Sequence, residues 1–259
     1  MLLVIDYGNT NGVFAIYDGE RLVAQWRCAS DARRTVDEHA VWLTQLMQLI
    51  DLTPRDITAV AISNVVPAAD RALRQLCRQY LNCDPVTVRD TLPSAGIAIR
   101  LSRPDQVGAD RIANAKAAHD AYEGAMIIVD FGTATTFDVT DPDGGYSGGV
   151  IAPGINLSLE ALYLAAARLP RITVEKPEQV VGDDTLSAMQ SGVFWGYVGL
   201  IEGVIVRIDR ERQRKHTVVG TGGLAPLFET VTEAIDHVDL DLTLRGVRLL
   251  YEAHCGRSA

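Results

Sequence analysis

The stretch Val4-Ile5-Asp6-Tyr7-Gly8-Asn9-Thr10-Asn11-Gly12 follows directly on Leu2-Leu3. Leu2 to Ile5 are all apolar and read as a buried strand. A carboxylate, a glycine and small polar residues then end it. Glycine lets the backbone turn back at a strand end and bring N–H groups close to a ligand. An aspartate there can hold Mg²⁺, directly or through water, against a polyphosphate. The plainer alternative is a hairpin whose aspartate caps its own turn. Residues 128–136, Ile-Val-Asp-Phe-Gly-Thr-Ala-Thr-Thr, spell nearly the same pattern. A shift of 124 residues places Asp6 on Asp130, Tyr7 on Phe131 and Gly8 on Gly132, and brings Asp18-Gly19 within one residue of Asp143-Gly144. The repeat implies two duplicated α/β halves, each with its own sheet, facing each other across a central cleft. The two loops are then the jaws of one phosphate site, with Asn9, Thr10, Thr133, Thr135 and Thr136 offering uncharged polar groups.

The remaining elements follow from spacing. Val13–Tyr17 and Arg21–Arg27 read as strands joined by the Asp18-Gly19 turn. Thr35 and Glu38 form a capping box ahead of Val36, Ala40, Leu43, Met47 and Ile50 at helical intervals. Ile57–Ile62 reads as a strand, and Pro67 opens a helix to about Tyr80. In the second half, Ala125–Asp130, Thr135–Thr140 and His216–Val219 read as strands, with helices over Asn156–Ala167 and Thr185–Arg210. The join between halves is a helix beginning near Gly108, which gives domains 1–115 and 116–259.

A net charge of -9 argues against nucleic acid or an anionic membrane as the main partner. It leaves room for an anionic small ligand held by backbone N–H groups. No apolar run is read as approaching the roughly 18 residues of a membrane span, and no basic leader precedes the first strand, so the expectation is a cytoplasmic protein. The four cysteines, Cys28, Cys77, Cys83 and Cys255, lack C-x-x-C spacing and read as reduced thiols. With only three lysines, none after a glycine, the chain has no Walker A loop.

Two further clusters remain open on the residues alone. Gly220-Thr221-Gly222-Gly223 with Ala225 satisfies a dinucleotide fingerprint, yet fewer than forty residues follow Gly220, too few for further βαβ crossovers. In Gly108-Ala109-Asp110-Arg111, the Asp-Arg pair is either an ordinary helix start or a proton acceptor beside a carboxylate-binding arginine.

The ordered motifs D-x-G-N-T, G-A-D-R, D-F-G-T-A-T-T-F-D, G-G-V-I-A-P-G and S-G-V-F-W-G-Y together resemble the type III pantothenate kinase family over essentially the whole chain. That family lies in the actin/hexokinase/Hsp70-like superfamily of duplicated ribonuclease-H-like domains. The resemblance implies phosphoryl transfer from ATP to the primary hydroxyl of pantothenate. It gives Asp6, Tyr7, Gly8, Asn9, Thr10, Asn11, Gly12, Val13 and Thr133 to ATP, with Mg²⁺ at Asp6. It gives Gly108, Ala109, Asp110, Arg111 and Thr185 to pantothenate, with Asp110 as general base. It also implies a monovalent cation, K⁺ or NH₄⁺, at Asp130 and a homodimer with the pantothenate pocket at the subunit interface. The family's pocket tyrosine, nine residues before the G-A-D-R aspartate, is Leu101 here, so the substrate pocket departs from the pattern. The rival readings are a kinase for another small hydroxy-acid and a non-catalytic nucleotide-binding regulator.

Overall fold

The computed structural model describes residues 1–165 and 170–256. Its elements are β1 (Leu2–Tyr7), β2 (Asn11–Asp18), β3 (Arg21–Ala29), α1 (Val36–Gln48), β4 (Ala59–Asn64), α2 (Asp70–Tyr80), β5 (Val86–Thr87), α3 (Val88–Thr91) and α4 (Ala109–Ala121). These are followed by β6 (Met126–Phe131), β7 (Ala134–Thr140), β8 (Tyr146–Pro153), α5 (Ile155–Ala165), α6 (Thr185–Arg212), β9 (Thr217–Thr221), α7 (Ala225–Glu229), β10 (His237–Val238) and α8 (Leu242–His254). The last two residues of the helix expected over Asn156–Ala167 lie outside the described residues.

The two sheets have the same order, β3-β2-β1-β4-β5 and β8-β7-β6-β9-β10. In both, the first three strands in sequence form an antiparallel meander and the remaining two add in parallel. β6 is β1 displaced by the 124 residues of the sequence repeat. Even the irregularity recurs, at Ile16/Tyr17 and at Val139/Thr140. The duplication expected from two Asp-x-Gly loops is therefore a duplication of whole sheets.

One face of the first sheet presents Leu3, Ile5, Tyr7, Phe14 and Ile16 to Leu43 and Met47 of α1 and to Leu73 and Leu76 of α2. Each such side chain contributes about 1.5–3 kcal/mol when fully withdrawn from water. α1 starts where the capping box predicts. The Thr35 N–H donates to Glu38 Oε2 at 2.7 Å, and the Glu38 N–H donates back to Thr35 Oγ1 at 3.3 Å. In the second sheet Ile127, Val129, Phe131 and Phe137 pack on Phe194, Tyr197 and Ile201 of α6 and on Phe228 of α7. By length and composition α6 is the one helix among the described residues apolar enough to cross a membrane. The sequence alone leads one to expect no run of that kind. Phe194, Tyr197, Val198, Ile201 and Ile205 instead turn inward to the core of the second sheet.

The chain divides into two compact units, but not at a single point. The first comprises Met1–Ala98, Ser102–Ala117 and the chain from Leu242 onward; the second comprises Ile99–Leu101 and Ala118–Asp241. The division at 115/116 keeps α8 with the second half, whereas α8 packs on β1 and β4 of the first. At that packing a Cβ on Gly246 would lie 1.9 Å from the Ala113 carbonyl oxygen of α4. Gly246→Ala is therefore expected to push the two helices apart and cost about 2–4 kcal/mol. Calorimetry should show Tm lowered by roughly 5–10 °C.

Candidate active site

The first loop leaves β1 at Asp6, which pairs in register with Val13 and, across the parallel neighbour, with Ser63. The Gly8 N–H donates to the Asn11 carbonyl at 3.0 Å, closing the turn. Ser30 then clamps it from β3's end: its hydroxyl donates to Gly8 O at 2.5 Å and its N–H to Thr10 O at 2.9 Å. Asn9, Thr10 and Asn11 are exposed on this tip, while Asp6, Gly8 and Val13 are half-buried. Tyr7 points the other way. Its ring is fully buried against His39, at 5.9 Å between centroids, and occupies the space a side chain on Gly12 would need. Tyr7 and Gly12 thus serve the core, and among residues 6–13 the polar loop tip is what faces solvent.

The second loop is built the same way. Gly132 N–H donates to Ala134 O at 3.1 Å, and Gly154 N–H donates to Thr133 O at 3.1 Å. Gly154 stands 124 residues after Ser30, so both loops are held from equivalent stations. A Cβ at Gly154 would lie 2.3 Å from Thr133 O. Thr133 is exposed, but Thr135 is buried, and its hydroxyl is bonded to that of Tyr197, which also reaches Pro153 O at 3.2 Å. Thr135 is thus a brace under the loop. Burial raises the pKa of Tyr197, so it stays protonated and able to donate.

The third glycine cluster joins this second loop. Thr221 pairs in register with Asp130. Gly222 has φ +87°, and a Cβ there would fall 2.7 Å from Asp130 Oδ1 and 2.7 Å from Phe131 O. A short α7 and the two-residue β10 follow, so the Gly220–Ala225 motif is not the start of a Rossmann half. Its glycines let β9's end close on Asp130. Among the described residues no three His, Cys, Asp or Glu side chains gather tightly enough to form a metal cage. A cation here would be held by few protein oxygens, with ligand or water oxygens completing its shell.

Asp110 sits in the first turn of α4, where the helix dipole favours a carboxylate. Its Oδ1 accepts the Arg111 N–H at 2.8 Å, and a Cβ on Gly108 would lie 2.4 Å from that oxygen. Burial pushes the Asp110 carboxyl up from its ordinary value, and the Arg111 N–H and guanidinium offset this only in part. An ordinary helix cap on the surface would not carry that desolvation. Thr185 is the exposed first residue of α6, just after Asp184, whose Oδ1 caps the helix by accepting the Ser187 N–H at 2.7 Å.

A sequence model of the family described as type III pantothenate kinase matches residues 2–207. The chain belongs to the type III pantothenate kinase family. A type III pantothenate kinase of Paramagnetospirillum magneticum is 56% identical over 247 residues, covering 95% of each chain. Two solved structures share the fold at low identity. A Sinorhizobium meliloti protein, provisionally named a 2-dehydro-3-deoxygalactonokinase, aligns with TM-score 0.63 at 15% identity over 98% of this chain and 96% of its own. A Campylobacter jejuni protein, provisionally named a Baf family transcriptional activator, aligns with TM-score 0.62 at 18% identity over 98% and 99%. These likenesses establish the duplicated actin-like α/β fold.

Within the type III pantothenate kinase frame, the first unit carries residues 6–13 and 108–111, and the second carries Asp130, Thr133 and Thr185. Sequence reasoning missed Ser30, Tyr197 and Gly154 as the supports of the two loops. The repeat itself held the signal for Ser30 and Gly154, since they differ by the same 124 residues. Nothing in the sequence marks Tyr197 as the partner of Thr135.

Proposed function

We propose that this chain phosphorylates pantothenate with ATP to give 4'-phosphopantothenate, the first step of coenzyme A synthesis. The observation that carries the mechanism is the desolvated Asp110 carboxylate at the start of α4. Asp110 accepts the proton of the substrate's primary hydroxyl as that oxygen attacks the γ-phosphorus, and ADP leaves. Arg111 binds the pantothenate carboxylate, with Gly108 and Ala109 shaping the loop and Thr185 adding a contact. The polar tip of residues 8–11 and Thr133 hold the phosphates through N–H and hydroxyl groups. Asp6 would hold Mg²⁺, which would offset part of the phosphate charge. Asp130 would hold the monovalent cation; its Oδ1 and the Phe131 carbonyl both border Gly222, and hard oxygens suit potassium or ammonium.

The reading extends to a homodimer in the cytoplasm. Support for the dimer is the apolar surface of the second unit, where Val150, Ile151, Leu157, Leu162 and Leu186 are exposed. Such a group on β8, α5 and α6 suits a second copy of the same chain. A second reading, a kinase for another hydroxy-acid, draws on Leu101, whose methyl group approaches to 3.8 Å of the Cβ position of Gly148.

The deciding assay is ADP release from Mg-ATP with pantothenate, in potassium and then in sodium buffer. Pantothenate-dependent turnover that needs potassium is the expected result. Turnover indifferent to pantothenate would favour the second reading, and nucleotide binding without turnover would favour a regulator.

A further inference from the structure

In the first unit β1 and β4 run parallel and stop level with one another. Each carries two residues past its last isoleucine, Asp6-Tyr7 on β1 and Ser63-Asn64 on β4, and the register pairs Asp6 with Ser63 and Tyr7 with Asn64. Leu3, Ile5 and Tyr7, with Val60 and Ile62, belong to the core under α1 and α2. Alternation therefore turns Asp6 and Ser63 to the opposite face, which α8 covers, its Arg248 lying 5.8 Å over the Tyr17 ring. The strand ends are tied together. The Val65 N–H donates to Tyr7 O at 3.1 Å, and Asn64 Oδ1 closes the turn after β4 by accepting the Val66 N–H at 2.9 Å. Asp6 and Ser63 thus stand side by side, one strand spacing of about 4.8 Å apart.

Ser63 is fully buried, and its hydroxyl has no hydrogen-bond partner among the described residues. A hydroxyl shut away from water without a bond is destabilising, and alanine would hold the same strand position without that cost. The hydroxyl does not bond even Asp6, its neighbour in register. A group that lies against both side chains would satisfy it. Magnesium held by one carboxylate keeps several of its waters. Each such water is a strong donor in need of an acceptor, and the Ser63 oxygen offers one a single strand away from Asp6. The second sheet carries the same pairing, since Asp130 of β6 stands in register with Thr221 of β9, also buried. In each sheet, then, the aspartate of the Asp-x-Gly loop has a buried hydroxyl residue beside it on the parallel strand.

We propose that Ser63 is a positioning residue for the metal of the phosphate site: its hydroxyl accepts a hydrogen bond from a water on the Mg²⁺ held at Asp6, and so fixes where the ion meets the polyphosphate. This rests on the reading of Asp6 as the magnesium residue. Partners of this outer kind are worth about 10–100-fold in metal affinity. Ser63 itself touches neither phosphate nor pantothenate, so what it governs is the metal's share of nucleotide binding.

Calorimetric titration with adenylyl imidodiphosphate, an ATP analogue that resists hydrolysis at its β–γ bridge, isolates that share when binding in Mg²⁺ is compared with binding in EDTA. Mg²⁺ should tighten binding to the parent protein. Ser63→Ala should cut this gain about tenfold and leave the affinity in EDTA unchanged. Asp6→Asn should remove the gain, and the double variant should be no worse than Asp6→Asn alone, since both act on one ion. Without metal or nucleotide, Ser63→Ala should melt no lower than the parent, because it loses only an unbonded hydroxyl. A lower melting temperature would reveal a structural bond to that hydroxyl and overturn the proposal. An unchanged Mg²⁺ gain in Ser63→Ala overturns it too, as does an equal loss of affinity with and without the metal. If the parent shows no Mg²⁺ gain, or Asp6→Asn keeps it, the reading of Asp6 fails and the role of Ser63 fails with it.

Discussion

Asp110→Asn is expected to lower kcat on the order of 10²-fold or more while ATP binds as before. Asparagine keeps the size of the side chain and can still accept the Arg111 N–H through its oxygen, so α4 should start unchanged. What it lacks is the basic oxygen that takes the hydroxyl proton. The raised pKa of Asp110 has a kinetic consequence, because the base acts only when deprotonated. Activity should rise with pH along a limb that lies above the usual carboxylate range. Stability moves in the opposite sense. A folded-state pKa above the unfolded value means the group's contribution is fully present below the unfolded pKa and is lost as pH rises through the folded one. The asparagine variant has no such loss, so at neutral pH it should melt no lower than its parent. A variant with normal turnover would reduce Asp110 to a helix cap.

Asp130→Ala is expected to abolish the difference between potassium and sodium buffers. Turnover in potassium should fall on the order of 10²-fold, since phosphoryl transfer relies on positioning and on offsetting phosphate charge. The chain has only three lysines to offset that charge, and Asp130 Oδ1 and Phe131 O both lie beside Gly222, each 2.7 Å from where a Cβ would stand. A binding readout accompanies the kinetic one. Potassium should raise Tm in the parent and leave the variant unmoved. A variant that still responds to potassium would put the cation elsewhere.

The fold was legible wherever the pattern was local. The Asp-x-Gly copies, the Thr35–Glu38 box and the apolar runs each name their own element, and the helix start at Gly108 is within a residue of α4. β8 was not legible, because Gly148-Gly149 interrupt it and Val150 and Ile151 face solvent, which breaks a buried-strand pattern. The strap at Ile99–Leu101 and the return of α8 were hidden for a different reason. Both depend on partners far away in sequence, and neither segment has a composition of its own to announce them. At the site, the motif placed the loops but not the direction of each side chain. Tyr7 and Thr135 sit inside phosphate-loop motifs yet point into the protein.

The place of α8 bears on how the molecule is made. The first unit's strands are finished by β5, at Thr87, but the helix that covers β1 and β4 is Leu242–His254. During synthesis the first sheet must therefore wait, with one apolar face uncovered, until about 150 further residues have been added. The second unit, Ala118–Asp241 apart from its three-residue strap, is complete before α8 exists. The half that begins first is thus the half that closes last.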